Sequence, residues 1–180
     1  MSRVTVLGWK QNKLPDYIKL CEDLCYELAK RDFSIVHGGG GGFMEAAARG
    51  AYKFDKHKSI AFNVKNLNEN GNDYVLNEHK FVCDTFSIRI GMLLDTSDFL
   101  IFMPGNIGTL SEWTFALNDF KTLHKKIKPI ICVGVKFWTT LRDWFIMNGL
   151  EFPDNYVSLI SDDKNEILDF IDKTRNNDLL

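Results

Sequence analysis

The run Asp98-Phe-Leu-Ile-Phe-Met103 is apolar at every position after its first residue. A strand with one face in water alternates apolar and polar residues, so a continuous apolar run marks a strand covered on both faces. Comparable short runs recur at 3–9, 33–38, 58–64, 79–84 and 129–135. Between them lie segments with helical spacing. The first, 15–32, sets Ile18, Cys21, Leu24, Cys25 and Leu28 on one face, and others follow at 43–54, 85–97, about 108–121, 137–149 and 164–175. Pro15 and Asp16 suit a first helical turn, and Thr85 suits an N-cap. This alternation predicts an α/β fold: a doubly wound, Rossmann-like parallel sheet with helices on both faces. With 180 residues and neither repeat nor linker, the chain reads as a single domain spanning 1–180.

Charge and composition narrow the function classes. A net charge of −2 gives no global positive field, so nucleic acid is not an expected partner. The nearest basic stretch, His-Lys-Lys-Ile-Lys-Pro at 124–129, reads as a solvated loop. No apolar run approaches the ~20 residues that span a bilayer, and the N-terminus lacks the pattern of a signal peptide. No membrane partner is expected, and the expected compartment is the reducing cytoplasm. Cys21, Cys25, Cys83 and Cys132 form no CxxC pair and read as small core residues. His57, His79 and His124 show no metal spacing, so no metal is expected. No cofactor is expected either. The polar connection 66–78 has the length of a functional or mobile loop.

In open α/β sheets, ligands bind beyond the carboxyl ends of strands. Two such ends here are rich in glycine. Gly38, Gly39, Gly40, Gly41 and Gly42 follow one strand, and Pro104-Gly105-Asn106-Ile107-Gly108-Thr109 follows another; each leads into a helix. Five glycines in a row carry a large backbone-entropy cost, which argues against an indifferent loop. Glycine lets an anion approach the backbone, and a helix start offers free N–H groups with the positive dipole end. Both loops therefore read as phosphate cradles, with tight strand–helix turns as the alternative. Neither matches the dinucleotide or P-loop fingerprint. Thr109 and Glu112 form T-x-x-E, a capping box with Thr109 as N-cap, and the same two residues also face the ligand crevice. His37 reads as a satisfied strand-end histidine. Trp113, Trp138 and Trp144 read as core or interface residues, and Asp98 as a turn or cap before its strand.

Pro104-Gly-Asn-Ile-Gly-Thr-Leu-Ser-Glu112 resembles the P-G-G-x-G-T-x-x-E signature of the Lonely Guy family, cytokinin-activating phosphoribohydrolases often mislabelled as lysine decarboxylases. Residues 35–51 resemble that family's Y-G-G-G-x-x-G-L-M segment, 86–105 its M-x-x-R-K helix and following strand, and 123–134 its K-P-V strand. The resemblance implies a homodimeric hydrolase that cleaves the N-glycosidic bond of a nucleoside 5′-monophosphate, releasing base and ribose 5-phosphate without a metal. It implies Arg89 and Glu112 as the catalytic pair. Gly105, Asn106, Gly108 and Thr109 would hold the phosphate, the run Gly38 to Gly42 would form the other wall, and Phe86 and Met44 would line the base pocket. A carboxylate there would stabilise ribosyl oxocarbenium character and orient water.

The chain also departs from that pattern. Asn106 replaces the second motif glycine, Ile90 a lysine, Phe86 a methionine and Glu45 a glycine, and the turn after the first strand is Leu-Gly-Trp-Lys-Gln-Asn. The first glycine loop is closer to the related molybdenum-cofactor carrier proteins, which bind rather than hydrolyse. A carrier of a phosphorylated heterocycle, such as that cofactor, is the alternative.

Overall fold

Alternate residues of the strand Phe99–Phe102 feed two separate cores: Phe99 and Ile101 enter one, Leu100 and Phe102 the other. That is the physical reason the run is apolar throughout. A computed structural model describes residues 2–65, 72–122 and 128–176. It contains β1 (Arg3–Leu7), α1 (Pro15–Lys30), β2 (Ser34–His37), α2 (Phe43–Phe54), β3 (Ser59–Val64), β4 (Lys80–Cys83), α3 (Phe86–Asp95), β5 (Phe99–Phe102), α4 (Ile107–Thr122), β6 (Ile130–Cys132), α5 (Val135–Met147), β7 (Val157–Ile160) and α6 (Lys164–Asn176). Short 3-10 turns lie at Lys56–Lys58 and Asn77–His79.

The strands form one sheet in the order β4-β3-β2-β1-β5-β6-β7, and every pairing is parallel. One face is covered by α1, α2 and α6 through Leu24, Leu28, Phe43 and Ile167. The other is covered by α3, α4 and α5 through Leu93, Trp113 and Trp138. The doubly wound α/β fold expected from the sequence is the fold observed. Thr85 caps α3, its Oγ1 accepting the Ile88 N–H at 3.2 Å. Asp98 Oδ2 accepts the Arg3 N–H at 2.9 Å and ties the start of β1 to that of β5. Trp113 and Trp138 are core residues, whereas Trp144 is half exposed.

Three expectations need correction. The sequence reading omitted β7, whose short Val-Ser-Leu-Ile run is an edge strand with no fully buried residue. Helix α4 starts at Ile107, ahead of the Thr109 cap expected from the sequence. Helix α5 spans 135–147 instead of 137–149. Residues 66–71 of the polar connection and 124–127 of the basic stretch, with His124, lie outside the described residues. Among the described residues, no helix is long and apolar enough to cross a membrane, and no group of three or more His, Cys, Asp or Glu could hold a metal ion.

Candidate functional site

From β1 the chain winds through β2, β3 and β4 on one side of the sheet, then crosses back to β5 on the other side of β1. The connections leaving β1 and β5 therefore diverge, and a crevice opens between their carboxyl ends. A cavity of about 290 Å³ occupies it. Its wall is made by residues 6–10 at the end of β1, Gly38, Met44 of α2, Phe86 and Arg89 of α3, residues 106–109, and Glu112 of α4.

Arg89 and Glu112 meet inside this cavity although 23 residues separate them in sequence, with Arg89 Nη1 donating to Glu112 Oε1 at 3.3 Å. Both side chains are nearly buried. Arg89 is held in place by backbone acceptors: Nε donates to Phe62 O at 2.8 Å, and Nη2 to Gly38 O at 3.4 Å. Met44 Sδ lies 3.9 Å from Nη2. Burial pushes the Glu112 carboxyl up to about 7, although Arg89 pulls the other way. Near neutral pH this group can therefore either accept or release a proton.

The start of α4 differs from the expected capping box. Asn106 Oδ1 accepts the Ile107 N–H at 2.8 Å, and the first helical bond runs from Leu110 N–H to Asn106 O at 3.0 Å. Thr109 is thus already inside the first turn, and Glu112 pairs with Arg89 rather than reaching back to Thr109. The N–H groups of Gly108 and Thr109 precede the helical ladder and are donors of the kind that bind anions. A Cβ added to Gly108 would meet nothing within 4 Å, so this turn is open. Gly105 differs: a Cβ there would lie 2.1 Å from Thr109 Oγ1, so the threonine side chain folds over it.

The glycine run after β2 is built the other way. Gly38 lines the cavity, where a Cβ would collide with Arg89 Nη2 at 1.9 Å. The glycines beyond it pack against the protein's own chain. Gly39, with φ +78°, abuts the Asn63 side chain, and Gly42, with φ +62°, abuts the Trp9 carbonyl oxygen. A Cβ on Gly41 would lie 3.2 Å from Lys10 O. Buried Asn72 donates to Gly40 O at 3.3 Å, and its own N–H donates to Gly39 O at 3.0 Å. The Phe43 N–H at the start of α2 donates to Trp9 O at 3.1 Å.

His37 fastens the same turn. Its Nδ1 accepts the Gly39 N–H at 3.1 Å, so the ring proton sits on Nε2 and points to Ser59 Oγ at 3.0 Å. Burial, with the nearby Arg89 charge, holds the imidazole down at about 3, so it stays neutral and structural.

Sequence reasoning did not assign Gly8, Trp9, Lys10 and Ile107 to the site, although all line the cavity. The signal for the first three was their position at the end of the central strand, next to the point where the strand order reverses.

The model of the SLOG cluster4 family matches residues 1–139. An uncharacterised protein of Archaeoglobus fulgidus is 27% identical over 113 residues, 63% of this chain and 72% of that protein. Among solved structures, the molybdenum cofactor binding protein of the phototrophic bacterium Rippkaea orientalis superposes with a TM-score of 0.72 at 21% identity, covering 96% of each chain. The molybdenum cofactor carrier protein of Chlamydomonas reinhardtii gives 0.71 at 19% identity, covering 96% of this chain and 98% of its own. DNA processing protein A of Helicobacter pylori, described for its binding of single-stranded DNA, gives 0.60 at 17% identity over 96% of this chain and 80% of that one. These structural likenesses speak for the fold, and the family match, which takes in both glycine loops and the Arg89–Glu112 pair, covers most of the sequence: the chain belongs to the SLOG cluster4 family.

Proposed function

We propose that this protein binds a phosphorylated heterocycle in the crevice between β1 and β5 and holds it without cleaving it. The observation that carries this reading is the open first turn of α4 at Gly108 and Thr109, set beside apolar walls from Trp9, Met44, Phe86 and Ile107. Such a site offers one anion-binding end and one apolar end, the division a phosphorylated ring compound requires. The molybdenum cofactor binding and carrier proteins that share the fold along nearly their whole length support it. So does Asn106, whose side chain takes the N–H that a glycine at that position would leave to the ligand. The four free, buried cysteines fit a reducing, cytoplasmic setting. A homodimer is proposed with it, supported by the exposed apolar Phe86, Ile88 and Met92 on α3. Sedimentation equilibrium reads the mass directly.

A second reading, hydrolysis of a nucleoside 5′-monophosphate as in the Lonely Guy enzymes, has one specific observation in its favour. Arg89 and Glu112 stand together in the cavity at 3.3 Å. In this reading the phosphate rests on the first turn of α4, and ionised Glu112 stabilises the developing ribosyl cation and orients water. The C1′–N bond breaks, water oxygen bonds to C1′, and the proton that water gives up to Glu112 ends on the departing base.

One experiment separates the two. Purified protein is incubated with AMP, GMP, CMP, UMP and isopentenyl-AMP beside the Glu112→Gln variant, and free base and ribose 5-phosphate are followed by chromatography. The carrier reading expects no base from any substrate and a nucleotide or pterin retained through purification. Base released by the parent and not by the variant replaces it with the hydrolase reading.

A further inference from the structure

The turn that follows β1 joins the two glycine loops physically. Trp9 N–H donates to Pro104 O at 3.4 Å, in the loop that leads to α4, and Trp9 O accepts the Phe43 N–H at 3.1 Å, at the start of α2. Gly8 beside it is closely packed, since a Cβ there would lie 2.8 Å from Met103 Cβ and from the Phe43 ring. Residue 9 is thus fixed at both peptide groups, on the same cavity as Gly108 and Thr109. Those backbone bonds ask for no particular side chain. Trp9 lines the cavity and is only partly buried, and its side chain is an indole with Lys13 Nζ 5.5 Å from the ring centroid.

An ammonium over an indole occupies one of its two faces. A pinned tryptophan on a cavity wall offers a rigid, large surface at small entropic cost, and planar rings stack on such surfaces. The other aromatic ring on the cavity wall, Phe86, is 54% exposed. We propose that Trp9 is the stacking platform for the ligand's planar ring and sets the selectivity of the site for phosphorylated heterocycles over sugar phosphates that carry no base. The inference rests on the reading that the cavity binds a phosphorylated heterocycle.

Isothermal titration of the parent, Trp9→Ala and Trp9→Phe with GMP, neopterin phosphate and ribose 5-phosphate tests it, the last being the control without a planar base. For whichever ring compound binds the parent more tightly, Trp9→Ala is expected to weaken binding by about tenfold or more, the size of one lost stacking contact. Ribose 5-phosphate affinity is expected to stay within about twofold, which also shows that the variant is folded, and Trp9→Phe is expected to recover most of the loss. An equal loss for ribose 5-phosphate would make residue 9 a support for the anion end and overturn the inference. So would unchanged affinity for the ring compounds, or a parent that binds ribose 5-phosphate as tightly as either of them. A parent that binds none of the three removes the binding reading itself, and this inference with it.

Discussion

A methyl group added to Gly108 meets nothing within 4 Å, whereas one added to Gly42 lands 2.3 Å from the Trp9 carbonyl oxygen. Both glycines stand where a strand gives way to a helix, and as sequence the two loops look like twins. Around Gly42 the missing side chain makes room for the protein's own backbone: the β1 turn, Asn63 and Asn72 fill the space beside the glycine run. Around Gly108 the missing side chain leaves space in front of unpaired helical amides, where a ligand can come. Glycine richness at a strand end signals a close approach. What approaches, chain or ligand, is decided by neighbours far away in sequence.

The largest test of this contrast is Gly42→Ala. A left-handed residue at φ +62° and a clash with Trp9 O together cost roughly 3–5 kcal/mol, read as a lower denaturant midpoint in urea. A loss below about 1 kcal/mol would mean that the run is not packed shut.

The pH dependence of stability should separate the two loops by sign. His37, which fastens the glycine run, has its folded pKa depressed from 6.5 to about 3. Its contribution is therefore whole above pH 6.5 and is lost as pH falls toward 3, amounting to roughly 3 kcal/mol between pH 6.5 and 4.5. Glu112, on the cavity side, has its folded pKa raised from 4.5 to about 7. Its contribution is whole below pH 4.5 and is lost as pH rises through 7, again roughly 3 kcal/mol. Urea unfolding across that range should give His37→Gln a shallower acid limb than the parent, and Glu112→Gln a shallower alkaline one. Parallel curves for parent and variants would contradict the assignment.

Gly108→Ala should have the smallest effect on stability. Alanine is the better helix former by about 1 kcal/mol, so the fold should hold or gain slightly. Ribose 5-phosphate should nonetheless bind about tenfold more weakly, a loss of ~1.4 kcal/mol, because a methyl group now stands over the turn. Calorimetry on the same samples gives both numbers.

The elements that the sequence revealed were those with a strong local cause. A continuous apolar run gave away β5 and largely apolar ones β1, β2 and β3, because both faces of the sheet are covered, while β7, a half-exposed edge strand, offered only Val, Leu and Ile around a serine. The Arg89–Glu112 pairing was reachable only through resemblance, since its partners lie on different helices brought together by the crossover from β4 to β5. The capping box at Thr109 misled because Asn106, three residues earlier, is an equally good N-cap type and ends up holding the helix start. Trp9 follows the central strand as a lone aromatic with no motif around it, so position at the strand end was its one signal. The fold adds that both of its peptide groups are tied to the two loops.

The most direct test maps where the anion sits. Backbone amide chemical shifts of ¹⁵N-labelled protein, recorded as ribose 5-phosphate is added, report each loop separately. The amides of Gly108 and Thr109 are expected to move with saturation while those of Gly39, Gly41 and Gly42 stay near their starting positions. Shifts centred on the glycine run, with Gly108 and Thr109 unmoved, would contradict it.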